Sequence, residues 1–349
     1  MLRRLIRDLI DRLDRRLLPF AASGGLIASG YYLLCSRQFR RAHRAVLAGR
    51  LAYYRNLAAP LGSSPLLRRN VHRLEKGLVM RPRNPVFAED YIEETVDELV
   101  RLRAVGRLEQ REEKWAMDVL ADYFAAVTDT PAIARARESF TARAPAESGD
   151  GTIRSVPRPR SASAPAPVTI DAFMALCQQR RSVRWFEQRP VPREAVLQAL
   201  DAAAQAPSAC NRQPFLFRYF GDAGDAQRIA GLAMGTTGYA ENIPALVVVL
   251  ADLSCYPEER DRHVAYIDAA LASMQFMLAL ETLGLSSCPI NWPDIEVRER
   301  RMARELELPW HVRPAMLIAL GYPDPAGGIP HSAKKPAGMM LRERNDYAS

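Results

Sequence analysis

A helix that is apolar on nearly every face cannot be left bare. Residues 264–283 read that way: Ile267, Leu271, Met274, Phe276, Met277, Leu278 and Leu280 leave no broad polar stripe. Such a helix demands burial on several sides, and Gly284 ends it. Just upstream, residues 245–251 (ALVVVLA) form a short continuous apolar run, the pattern of a strand buried on both faces. Residues 215–220, 286–291 and 315–320 read as further strands. Residues 170–179 and 194–206 read as helices, with Asp171 in the first turn of the former.

This half of the chain is set off by a boundary. Residues 141–167 are rich in Ala, Pro, Ser, Gly and Arg and almost free of large apolar side chains. They cannot bury a core, so they read as a linker. The 349 residues therefore divide into a tail at 1–59, a helical accessory region at 60–140, the linker, and a C-terminal domain at 168–345. Apolar stripes through Tyr91, Ile92, Val96 and Leu99, and through Trp115, Val119, Leu120 and Tyr123, mark two accessory helices, and residues 132–140 add a short third. In residues 66–88, Gly77 is placed to stop a helix. Pro82 and Pro85 then enforce an extended path. His72 and Glu75 stand one helical turn apart, a spacing that suits a structural contact better than catalysis.

Charge is unevenly placed. The net charge is +8, and residues 1–50 hold 11 Arg against 3 Asp, which accounts for all of it. The basic character thus belongs to the tail, which argues against a nucleic-acid-binding body. Residues 1–18 form a basic amphipathic pattern, as on helices that lie on anionic membranes or dock on a partner. Residues 17–36 carry no formal charge over a length that would just span a bilayer. Their Pro, Gly, Ser and Tyr content favours peripheral attachment or packing. Five scattered Cys without a CxxC pair read as reduced thiols, and five scattered His suggest no metal site.

Two polar segments carry the chemistry. Arg180, Arg181, Ser182 and Arg184 gather donors within five residues, and a guanidinium fork matches a phosphate. Pro207, Ser208, Asn211 and Gln213 form a Pro-bracketed loop whose amides suit the edge of a flat heterocycle. The segments frame the helix at 194–206 and can meet in space. On residue types alone, a solvated helix end explains the arginines as well as a nucleotide-like ligand does.

The order and spacing of Arg180–Phe186 (RRSVRWF) and Pro207–Phe215 (PSACNRQPF) resemble the two flavin-binding signatures of the nitroreductase family. A third match is Leu320-Gly321-Tyr322-Pro323 followed by Lys334-Lys335-Pro336. The resemblance implies an α+β fold: a three-layer α/β/α sandwich around a mostly antiparallel sheet, here preceded by a helical N-terminal region. It also implies FMN, with NADH or NADPH as donor. By this likeness Arg180, Arg181, Ser182 and Arg184 hold phosphate, ribityl and ring-edge oxygens, and Arg184 supplies the cation near the reducible ring. Asn211 and Gln213, with Pro207 and Ser208, meet the ring edge or the substrate. Lys334 and Lys335 close over the phosphate. Asn291 stands where relatives approach the flavin, and Trp292 beside it departs from their pattern and is expected to narrow the pocket. Cys210 fits a small filler better than a redox thiol. The helix at 264–283 corresponds to the family's dimer core, so a homodimer is implied.

The segment His72–Leu78 (HRLEKGL) resembles a signature that precedes such domains in a bacterial subset often linked with surface polysaccharide gene clusters. The expected function is an FMN-dependent NAD(P)H oxidoreductase passing hydride to an unidentified acceptor. The alternative is a flavin-binding or flavin-free scaffold at the membrane surface. The expected location is cytoplasmic, on the inner face of the membrane, with residues 1–50 against anionic lipid and no nucleic acid bound.

Overall fold

A computed structural model describes residues 13, 15–36, 38–58, 62–143, 154–341 and 343. Its centre is a four-stranded sheet in the order β1-β2-β4-β3, with β1 (Phe215–Phe220), β2 (Ala245–Asp252), β3 (Ser286–Asn291) and β4 (Val312–Gly321). Every neighbouring pair is antiparallel. Strand side chains alternate between faces, and β2 shows why its sequence is continuously apolar. Ala245, Val247 and Val249 enter one core with α8 (Arg193–Ala203) and α10 (Val264–Thr282). Leu246, Val248 and Leu250 enter a second core with α9 (Ala223–Ala230) and α11 (Glu296–Glu305). Helices thus cover both faces, and the domain is the expected three-layer α+β sandwich.

The helical region has its own core. Helices α3 (Pro65–Leu78), α4 (Ile92–Ala104), α5 (Gln110–Ala126) and α6 (Pro131–Arg143) enclose Leu67, Val71, Leu74, Val96, Leu99, Leu120, Tyr123 and Ile133. Ser64 caps α3, accepting from the Leu67 N–H at 3.2 Å. Gly77 does not stop this helix, which runs on to Leu78. A Cβ at Gly77 would lie 2.1 Å from the Phe87 ring, so the glycine is there for close packing. Glu75 contacts His72 at 3.6 Å and accepts from the Trp115 indole at 2.9 Å, a structural use of the pair.

The segment expected as a tail contains a docked helix. Helix α2 (Arg40–Ala58) buries Ala45 completely among Ala251, Leu253 and Tyr256. Arg41 pairs with Glu296 at 2.6 Å, Arg44 stacks 3.6 Å from the Trp310 ring, and Arg50 pairs with Glu259. Part of the N-terminal charge is therefore used on the protein itself. Upstream, α1 (Gly25–Leu34) is separated by a turn from helical residues 15–21. Ten helical residues rise about 15 Å, half the thickness of a bilayer core. The basic pattern at 1–12 lies outside the described residues. Among described helices, the one long and apolar enough to cross a membrane is Glu259–Thr282, which is α10 with its lead-in.

Helix α10 departs from its expected burial. Its inner face, including Ala269, Ala272, Phe276 and Leu280, is sealed, but Ile267, Leu271 and Met274 remain 56%, 43% and 40% exposed. These three lie on one side at helical spacing.

Candidate functional site

The first segment is fixed by the elements beside it. Helix α7 (Ile170–Gln179) is capped by the Thr169 hydroxyl, which accepts from the Ala172 N–H at 3.2 Å. At Arg180 the backbone turns extended. Ser182 then bridges in parallel to Ser287 on the edge strand β3, and the Val183 N–H donates to the Ser287 carbonyl at 3.1 Å. Buried Val183 and Phe186 anchor the stretch from below.

The third motif zips onto the first. The Glu187 N–H donates to the Tyr322 carbonyl at 2.9 Å, and the Asp324 N–H to the Trp185 carbonyl at 3.1 Å. Gly321 allows this approach, since a Cβ there would lie 2.6 Å from Pro244 and 3.0 Å from Phe186. Arg181 donates to the His331 carbonyl, which brings the stretch bearing Lys334 and Lys335 toward the first segment. Both lysines are exposed.

These cations lack close carboxylate partners. Arg180, Arg181, Arg184, Lys334 and Lys335 form no ion pair among the described residues; the salt bridges lie elsewhere. Arg184 donates to the Ser182 carbonyl at 3.3 Å and lies 5.7 Å from the Tyr239 ring centroid. Burial pushes the Cys288 thiol up, against the pull of Arg184. Burial, reinforced by Cys288, raises the Tyr239 phenol to about 12. Both neighbours of Arg184 are therefore neutral at pH 7. Burial also raises the Glu281 carboxyl, opposed by the Ser286 hydroxyl and Arg180. Unpartnered buried side-chain atoms gather here: Arg180 Nε, Ser287 Oγ and Glu281 Oε1. Such atoms are costly unless something completes them.

The second segment is built differently. Cys210, Asn211 and Gln213 all have left-handed backbones, with φ of 53°, 52° and 50°. Ser208 Oγ accepts from the Gln213 N–H at 3.0 Å, and the Gln213 amide donates to the Ala204 carbonyl at 3.2 Å. The Ala209 N–H donates to Asp268 on α10 at 3.0 Å, and the Tyr256 hydroxyl to the same oxygen at 3.0 Å. Burial raises the Asp268 carboxyl, against these two donors and Arg212. Arg212 is itself buried, 4.8 Å from the Tyr256 ring centroid. Pro207 is exposed.

The two segments lie toward opposite ends of α10. The second is tied to it at Asp268, and Arg180 of the first acts on Glu281. Those positions are thirteen residues apart, a rise of about 20 Å.

Asn291 is exposed at the end of β3, opposite Met316. Trp292 does not narrow a pocket. It is buried in the core beneath α11 and donates to Glu299 at 2.6 Å, beside the 3.0 Å bond from Arg313 to the same carboxylate. Two cavities, of about 210 and 360 Å³, lie elsewhere, one between α2 and α11 and one beside Met80 and Arg158. Sequence reasoning missed Asp268 and Glu281, although each is an acid inside an otherwise apolar helix, which was a usable signal.

Comparison with known proteins places likeness in this half of the chain. The nitroreductase family model matches residues 177–237 and 234–322. The chain is 30% identical over 193 residues to a NADH dehydrogenase of Thermus thermophilus, covering 46% of this chain and 91% of that protein. It is 30% identical over 154 residues to a putative NADH dehydrogenase/NAD(P)H nitroreductase of Methanothermobacter thermautotrophicus, covering 44% and 78%. It is 28% identical over 171 residues to an FMN reductase [NAD(P)H] of Bacillus subtilis, covering 45% and 66%.

Proposed function

Because the chain belongs to the nitroreductase family, we propose that it is an FMN-dependent NAD(P)H oxidoreductase working as a homodimer. The observation that carries this reading is the set of unpaired cations, Arg180, Arg181, Arg184, Lys334 and Lys335, joined by the Ser182 bridge and the Arg181–His331 bond. Cations without an ion pair beside the unpartnered donors Arg180 Nε and Ser287 Oγ fit a phosphate-bearing ligand. The similarity to an FMN reductase supports FMN as that ligand.

In this reading Arg180, Arg181, Ser182, Lys334 and Lys335 bind the phosphate and ribityl oxygens. Arg184, between two groups that stay neutral, offers its charge to the ring edge. Asn211 and Gln213 offer amides to the ring or to the acceptor, with Ser208 closing their loop and Pro207 bounding it. Asn291 remains a candidate at the edge of the site. FMN, when bound, supplies the hydride transfer between NAD(P)H and an electrophile such as a nitroaromatic or a quinone.

The separation of the two segments along α10 motivates the dimer. A second copy laid two-fold on Ile267, Leu271 and Met274 would cover the exposed face of α10. Antiparallel helices would then bring the Asp268 end of one chain to the Glu281 end of the other, completing each site. The helical region bearing His72–Leu78 is our ground for placing the chain in the subset with that extension. We also propose a cytoplasmic location against anionic lipid, because Leu26, Leu33 and Leu34 on α1 are 91%, 67% and 80% exposed near Arg15 and Arg16.

The deciding experiment is an absorbance spectrum of the FMN-reconstituted protein before and after anaerobic NADH or NADPH. A flavin spectrum that bleaches supports the reading. A protein that takes up no FMN would favour the scaffold alternative. Light scattering should give twice 39.0 kDa. Sedimentation with anionic but not zwitterionic vesicles tests the membrane component.

A further inference from the structure

Helix α3 reaches from the helical region to the second segment. Arg68 donates through Nε to the Asn211 carbonyl at 2.7 Å, across 143 residues of sequence. Its Nη1 pairs with Glu112 on α5 at 2.7 Å, and the Glu112 side chain is 3% exposed. Glu112 is itself held by the Ser63 hydroxyl at 2.6 Å and the Ser64 N–H at 3.0 Å. The guanidinium also lies 5.4 Å from the Trp115 ring centroid. Arg68 is thus fixed at one end by a buried carboxylate and presents its other donor to one peptide plane.

That plane lies in the most strained stretch near the site. Non-glycine residues in the left-handed region cost about 1 kcal/mol each, and such conformations persist only where the surroundings over-determine them. Ser208 and Asp268 hold the loop from its own domain. Arg68 holds it from outside, at the carbonyl of the residue whose side chain is offered to the ligand. Lys could not replace it, because a single ammonium on a flexible stem cannot bridge carboxylate and carbonyl in a fixed fork.

We infer that the helical region acts on the flavin site through Arg68, a positioning residue that sets the conformation of residues 207–214 and so the placement of Asn211 and Gln213. The inference rests on the proposed FMN reading, and its test separates the two. The full-length protein would be prepared as wild type, Arg68→Met, Arg68→Lys and Arg137→Met. The last removes the Arg137–Asp129 pair of the same helical region, 2.7 Å long, without touching the loop or the partners of Arg68.

Hydrogen–deuterium exchange across residues 207–214 is read first, without added flavin. Faster exchange there in Arg68→Met, with β2 and β4 unchanged, is the expected result. FMN affinity by flavin fluorescence should then weaken about tenfold in Arg68→Met, by a smaller factor in Arg68→Lys, and not at all in Arg137→Met. Unchanged exchange in Arg68→Met overturns the inference. So does an equal loss of affinity in Arg137→Met, which would mean general destabilisation. If wild type takes up no FMN, the functional reading falls, and the exchange result alone decides whether Arg68 sets the loop.

Discussion

The two segments proposed to face the ligand reach their shapes by opposite routes. Residues 180–184 are extended, allowed backbone laid on the edge of β3 and anchored by Val183 and Phe186. Residues 207–214 hold three left-handed non-glycine residues and depend on Asp268, Tyr256 and Arg68 from three other elements. In the first segment the sheet places the backbone, and the cationic side chains form no ion pair among the described residues. In the second, side chains from other elements hold a backbone that would otherwise relax. On the proposed reading, the first segment binds the ligand and the second tunes the site.

The largest expected effect follows from that division. Replacing Arg180 and Arg184 together with Ala should weaken FMN binding by about 100-fold or more, since hydrogen bonds to charged groups contribute about 1.5–3 kcal/mol each. Thermal stability should barely move, because neither side chain forms an ion pair among the described residues. Fluorescence titration beside a melting curve checks both halves, and a large drop in melting temperature would count against the comparison. Asp268→Ala should do the reverse. It strands the Ala209 N–H and the Tyr256 hydroxyl, each bound at 3.0 Å, and should cost about 2–4 kcal/mol in denaturant unfolding. Asp268→Asn keeps an acceptor and sheds the burial penalty on the charge, so it should stay near wild type.

How much of this was readable beforehand follows the same line. Helix α7 and strands β1 and β3 lie where apolar pattern and turn residues placed them, because burial fixes such elements locally. The sandwich was legible through the family likeness of the three motifs and through the continuous apolar run of β2. The arginine-rich segment was legible because its residues are contiguous. The supports of the second segment were not. Arg68 and Glu112 belong to helices far along the chain, and nothing in their sequence neighbourhood marks them. Gly77 was misread for a related reason: a glycine at a helix end looks like a stop, and only the Phe87 ring 2.1 Å from its missing Cβ shows otherwise. Trp292 likewise looked like a pocket wall until its indole was found bonded to buried Glu299.

Two smaller tests sharpen the contrast. Cys210→Gly removes a side chain at φ 53° and should stabilise the protein by about 0.5–1 kcal/mol while leaving FMN binding intact. Loss of NADH-driven flavin reduction in that variant would instead give the thiol a redox role. The smallest effect is one of pH. His311 is held below its usual value of 6.5 by burial, partly offset by Asp252. The Asp252 N–H donates to the Pro214 carbonyl at 2.8 Å, at the end of the second segment. A histidine depressed on folding contributes stability that is complete above 6.5 and is lost as pH falls through its lower folded value. Melting temperature should therefore decline on acidification below that point. In His311→Gln this part of the decline should vanish. Hydrogen exchange in wild type should quicken first at residues 207–214 and leave residues 180–184 protected. Equal quickening in both segments would mean that they share one support, and the contrast between them would fail.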